Sequence, residues 1–165
     1  MQRAATQCAF HLKVYKGWLA NLEDQHLGLE PGPGLKTAGW LLGHLVVTGD
    51  FGRKLCGLPP IAPKTWRPLF SPGTTPSHDA ASYPPMKELL DAFHAVYTDL
   101  STNGPSAAPE TLALPNPYES ARPTFPTAGD FAAYLLSGHL AYHLGQLSMW
   151  RAAAAATDAR LRRQQ

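Results

Sequence analysis

Apolar residues recur every three to four positions in four separate stretches of this chain, and alternation with polar residues extends over no useful length. The first stretch, about Gln2 to Asp24, sets Ala5, Cys8, Leu12, Tyr15, Leu19 and Leu22 on one stripe. "GLEPGPG" at 28–34 closes it, since proline cannot continue a helix and glycine accepts turn geometry. The second, about Thr37 to Leu55, reads Trp40, Leu41, His44, Val47, Thr48, Phe51 and Leu55 along its inner face. The third, about Pro85 to Thr102, starts on a proline, which suits a first turn, and buries Met86, Leu89, Leu90, Phe93, Val96, Tyr97 and Leu100. The fourth opens at "TAGD", where Thr127 is the expected N-cap and Asp130 the carboxylate of a capping box. It runs to about Asp158 through an alanine-rich tail, alanine being the best helix former.

Two long loops complete the chain. Residues 56–84 are too rich in proline for long regular structure, yet Trp66, Leu69 and Phe70 predict that this loop packs back on the body, with Trp66 or Phe70 in a pocket wall. Residues 103–126 form the second loop. The predicted fold class is therefore all-α, a four-helix bundle in one domain covering 1–165. A short connection makes the first two helices antiparallel neighbours, and the long loops allow an up-down-down-up order.

Composition narrows the function. A chain of 165 residues, 44% apolar and 16% charged, can bury a proper core. A net charge of +2, with neither a basic stripe nor a recognition-helix signature, argues against nucleic acid as a partner. The basic excess at the far C-terminus (Arg151, Arg160, Arg162, Arg163) is explained by the dipole of the last helix. No run approaches the roughly 20 apolar residues of a membrane span, and the N-terminus lacks the apolar core of a secretory signal. Cys8 and Cys56 are too few for a disulfide framework, so the expected setting is a reducing cytoplasm.

The candidate chemistry lies in histidines. His139 and His143 stand four apart, separated by roughly 40° around a helix axis and about 6 Å along it. They share a stripe with Leu135, Leu147 and Trp150, so both imidazoles face the core. A buried neutral imidazole needs a partner for each nitrogen, and a metal ion can take one from each ring while the other donates outward. His44 is the natural third ligand, the strong metal-binding group at the centre of the second helix's inner face. Zinc accepts three histidines plus an exchangeable position, and imidazole also suits nickel, copper and iron. The spacing equally admits three hydrogen-bonded core histidines without an ion. Gly39, Gly43, Gly138 and Gly145 each cost about 1 kcal/mol within a helix and imply close backbone approach, room for a ligand, or plain helix packing. His11 and His26 are assigned to the surface and His78 to a solvated loop, while His94 could face either way.

"GWLLGHLVVTGDF" (39–51), followed some ninety residues later by "HLAYHLGQLSMWR" (139–151), resembles the DinB/YfiT-like superfamily of metal-dependent enzymes. The matching motifs are W-x-L-G-H-L and H-x-x-x-H-x-G-Q. The resemblance implies a four-helix bundle, a zinc or nickel site held by His44, His139 and His143, and a homodimer. Its better-understood members join low-molecular-weight thiols to electrophiles or use mycothiol in isomerisation.

The expectation drawn from both lines is a metal-dependent transferase or isomerase using a small thiol. A metal-dependent hydrolase and a non-catalytic metal-binding stress-response module are the alternatives. Hydrolysis would want a carboxylate base, and Leu140, Ala141 and Tyr142 fill the interval between the paired histidines instead. Asp50, Gln146 and Tyr142 are candidates for supporting the site, Gln146 by orienting a ligand or substrate. Tyr134 and Tyr142 are otherwise expected to be core tyrosines.

Overall fold

A computed structural model describes residues 1–156 and 158–161. Four long helices dominate it: α1 (Gln2–Leu19), α2 (Ala38–Leu55), α3 (Met86–Asn103) and α4 (residues 128–154). Among the described residues there is no β-strand, only an isolated bridge between Pro115 and Thr127, so the all-α expectation holds. No described helix is long and apolar enough to cross a membrane.

α1 stops sooner than the periodicity suggests. Ala20 is extended and Asn21 takes a φ of 62°, a left-handed conformation that asparagine tolerates better than most residues. The carbonyls exposed by that ending are met from across the fold, where Arg151 Nη1 donates to Trp18 O (2.9 Å) and Ala20 O (2.7 Å). Arg151 thus serves the end of α1 as well as lying near its own helix end. The side chain of Arg160, and Arg162 and Arg163, lie outside the described residues.

α2 is buried almost all round, with Leu42, Leu45 and Val46 covered on the side away from the predicted stripe. A helix apolar on every face belongs in the middle of a structure, and α2 packs on both α3 and α4. Gly49 sits against Val96 and Tyr97 and Gly52 against Leu100, so α2 and α3 run in the same direction. Gly104 lies near Met1, and Cys8 Sγ reaches Tyr97 O, so α1 runs opposite to α3. Phe51 meets Phe131 while the earlier His44 meets His139, so α4 runs opposite to α2.

One expectation is corrected here. α1 and α2 are not principal neighbours; α1 packs on α3 and α4 instead. Because α1 ends at Leu19, the connection covers 20–37, long enough to cross the fold, and it buries Leu22, His26 and Leu27 on the way.

α4 begins as expected, with Thr127 Oγ1 accepting from Asp130 N (3.1 Å) and the Asp130 carboxylate accepting from Thr127 N (3.2 Å). It then departs from the simple pattern. Ala128–Tyr134 and Leu140–Ala154 are α-helical, but Leu135–His139 between them is a π-helical turn. The helix ends at Ala154, short of the expected Asp158.

Both loops are ordered by their own contacts. The first carries the turns Lys64–Trp66, Arg67–Phe70 and Ala80–Ser82, and it buries Trp66 and Phe70 completely or nearly so. In the second, buried Asn116 donates to Phe125 O (3.0 Å) and accepts from Tyr118 N (3.0 Å), pinning two aromatic residues over the start of α4.

Candidate metal centre

His44 projects from the middle of α2, and the residue before it decides how it is held. A Cβ at Gly43 would lie 2.4 Å from the Phe70 ring, a separation no real side chain tolerates. With glycine there, Phe70 lies directly on α2 and its carbonyl comes 2.8 Å from His44 Nδ1. A carbonyl only accepts, so Nδ1 carries the proton and the Nε2 lone pair faces inward. Trp40 stacks on the other side of the ring at 4.6 Å and 10°.

His143 is oriented the same way from one turn further along its own helix. Its Nδ1 donates to Gln146 Oε1 (2.7 Å), and the Gln146 amide is turned by donating to the Tyr142 hydroxyl (3.3 Å). His139, the last residue of the π-helical turn, is different. Its Nδ1 is buried without a hydrogen-bond partner, and its Nε2 lies 3.3 Å from His44 Nε2. π-helical turns concentrate at functional sites because the extra residue redirects the side chains that follow.

The three rings suit a cation. One nitrogen from each lies within 4.8 Å of the others. A tetrahedral ion bound at 2.0–2.1 Å sets its donor atoms about 3.3 Å apart, which matches the Nε2 pair of His44 and His139. Without a cation, a proton shared by that pair leaves His139 Nδ1 a bare buried acceptor, and the other tautomer sets two lone pairs face to face. Burial first, then the neighbouring His143 and His44, pushes the His139 pKa down to about 3. Burial and His44 push His143 down to about 4, and burial lowers His44. All three are therefore neutral near neutral pH, the form in which imidazole can bind a metal.

A consequence is measurable on metal-free protein. Each folded-state pKa lies below the ordinary 6.5, so the unfolded chain binds more protons in the interval between them. Stability from these histidines is fully present above pH 6.5 and is lost as pH falls toward 4 and below. The thermal midpoint of the metal-free chain is expected to be level from pH 8 to 7 and to decline steadily below 6.5. A midpoint unchanged down to pH 5 would contradict this picture of crowded, dry imidazoles.

A cavity of about 540 Å³ opens beside His44 and His139, within the range of small-molecule sites. Phe51 of α2 and Phe131 and Tyr134 of α4 form its apolar walls, and Tyr118 and Phe125 of the second loop complete them. Arg67, Ser71 and Pro72 stand on the side of the first loop. The expected pocket role of Trp66 or Phe70 is thus reassigned: Phe70 lies behind His44 and supplies its carbonyl, while its neighbours face the cavity. The second loop's contribution was not anticipated, although two aromatics within the proline-rich "NPYESARPTFP" are a signal of packing.

The remaining candidates separate clearly. The Asp50 carboxylate is buried, accepts from Ile61 N (2.8 Å) and pairs with Arg53 (3.4 Å), so it anchors the first loop and makes no hydrogen bond to the histidines. Tyr142 is 62% exposed rather than a core tyrosine, and Tyr134 lines the cavity. His26, expected at the surface, is buried between Glu23 N (2.9 Å) and Asp158 Oδ2 (3.1 Å). His78 and His94 are exposed and His11 is half-buried, all away from the triad. Cys8 and Cys56 are free and buried, and burial pushes their thiols up to about 12 and about 11.

No significant match is found among curated proteins or among solved structures. The profile of the DinB superfamily, however, matches residues 7–147, an interval that holds all three converging histidines together with Gly43 and Gln146. The chain belongs to the DinB superfamily.

Proposed function

We propose that this protein is a metal-dependent enzyme that joins a low-molecular-weight thiol to an electrophilic small molecule, with zinc or nickel held by His44, His139 and His143. The observation that carries the reading is the pairing of three inward imidazoles with a cavity whose lining has neither a carboxylate nor a cysteine. A divalent cation held by His44, His139 and His143 would lower the pKa of a thiol or water bound to it. Water attack would want a general base, and the lining supplies none; a thiol needs only to lose its proton. The protein's own thiols are buried and held protonated, so the sulfur must come from a separate molecule. In the transfer a sulfur–carbon bond forms, the displaced group leaves with the electron pair of the broken bond, and the thiol proton passes to solvent. Phe70 O and Gln146 Oε1 hold two of the rings in the tautomer this requires.

The same reading takes the chain as a single domain, its long helices forming an up-down-down-up four-helix bundle, which the common direction of α2 and α3 and the reversal at α4 support. It also takes the active form as a cytoplasmic homodimer, with exposed Tyr142 and Met149 of α4 and exposed Phe10 of α1 as apolar surface for a second copy.

Cobalt-substituted protein tests the thiol assignment. Titration with N-acetylcysteine is expected to produce a sulfur-to-cobalt charge-transfer band in the near ultraviolet. Normal cobalt loading with no such band at any thiol concentration would remove the thiol from the proposal.

A further inference from the structure

We infer that the cavity beside the histidines takes a flat aromatic anion, an aryl carboxylate, with its ring against the aromatic wall and its charge on Arg67. This rests on reading the cavity as the substrate side of the metal centre, and it names the substrate class. Three observations converge on it.

The walls favour a ring. Tyr118 stacks on Phe131 at 5.6 Å and 16°, and Phe125 on Tyr134 at 4.5 Å and 22°, so second-loop rings and α4 rings form one ordered aromatic surface. A flat apolar ligand gains offset stacking there beyond the area it buries. A sugar or other polyhydroxylated molecule is a poorer match for walls that are mostly aromatic carbon. The lining hydroxyls are those of Thr48 and Ser71, which already donate to backbone carbonyls, and of Ser120, Tyr118 and Tyr134.

The charge favours an anion. Arg67 is the one formally charged residue in the lining, and among the described residues no carboxylate pairs with it. A divalent cation held by the neutral histidines would add further positive charge to the same cavity, so a cationic ligand is disfavoured.

The placement of Arg67 is built in. It begins the turn Arg67–Phe70, whose last residue gives its carbonyl to His44, and its own carbonyl accepts from Ser71 N (3.0 Å) and Ser71 Oγ (2.7 Å). One short turn therefore carries both the carbonyl that holds His44 and a cation of the cavity lining. A guanidinium presents a planar pair of donors that matches a carboxylate.

The test is calorimetric titration of the zinc-loaded full chain with naphthoate and with its neutral counterpart naphthamide. Naphthoate is expected to bind more tightly by about tenfold, a charge-assisted contact discounted for partial exposure. Arg67→Gln is expected to erase that preference while leaving naphthamide affinity within about twofold, and Tyr118→Ala to weaken both ligands alike. Both residues are exposed, so neither change threatens folding, and circular dichroism verifies this. Equal affinity for the two ligands, a preference that survives Arg67→Gln because the metal reads the carboxylate, or binding of neither would overturn the assignment. Zinc content is measured on the same samples. Full zinc with no preference sinks the aryl-carboxylate inference alone. Absent zinc sinks the metal centre, and the Arg67→Gln comparison on the zinc-free chain then still decides the anion site.

Discussion

The His139→Leu protein is expected to be more stable than the parent in the absence of metal, and indifferent to zinc. His139 places a nitrogen in the interior with no hydrogen-bond partner and faces another imidazole across 3.3 Å. An unsatisfied buried polar atom costs about 1–3 kcal/mol, and leucine of similar bulk removes it without leaving a large cavity. A gain of about 1 kcal/mol in chemical denaturation is the expected size, since some of the relief is offset by imperfect packing. The parent should behave in the opposite sense when zinc is present. With free zinc a thousandfold above its dissociation constant it gains about 4 kcal/mol, and the variant gains none. Residues kept at a cost to the metal-free fold are the signature of function. If the imidazoles were ordinary core residues, His139→Leu would leave the zinc response of both proteins alike, and that result would refute the assignment.

Gly43→Val carries the second large effect. The added side chain would drive into the Phe70 ring, which is fully buried and packed against Trp66 and Tyr83, so it has nowhere to retreat. Overpacking of about 1–3 kcal/mol combines with loss of the bond from His44 Nδ1 to Phe70 O, giving a destabilisation of about 3 kcal/mol in urea denaturation. Freed from that carbonyl, His44 no longer holds its tautomer, and zinc affinity should fall by about tenfold or more. Gly145→Ala is the matched control. Nothing lies within 4 Å of a Cβ there, so alanine should stabilise α4 by up to about 1 kcal/mol. Equal effects at both positions would mean that Phe70 does not sit on α2 as described.

The contrast between these glycines shows what the sequence can and cannot carry. All four near the histidines looked alike in the chain, but only Gly39 and Gly43 meet a neighbour at under 3 Å. Local rules were legible: the bounds of α2 and α3, the capping box at Thr127, and the convergence of His44 with the His139–His143 pair all follow from helical spacing and apolar facing. Long-range closure was not. The end of α1 depends on one left-handed asparagine and on an arginine from α4, neither of which breaks the apolar rhythm before Asp24. The π-helical turn inserts a residue that a period of 3.6 does not register, because Leu135, His139 and His143 keep their sequence spacing whatever the backbone does between them. The cavity wall needs Asn116 to fold the second loop over α4, a contact between segments that share no pattern. Charge told a similar story. Nothing in the sequence singles out Arg67, which lines the cavity only because the first loop packs back on the body.

That three imidazoles hold a divalent cation is tested most directly by metal content. Protein purified without nickel affinity is measured by inductively coupled plasma mass spectrometry, for the parent and for His143→Ala. Close to one zinc or nickel per parent chain, lost in the variant, is the expected result. No metal in either protein, even after incubation with zinc or nickel, would contradict it and leave the three histidines as core residues with no role in catalysis.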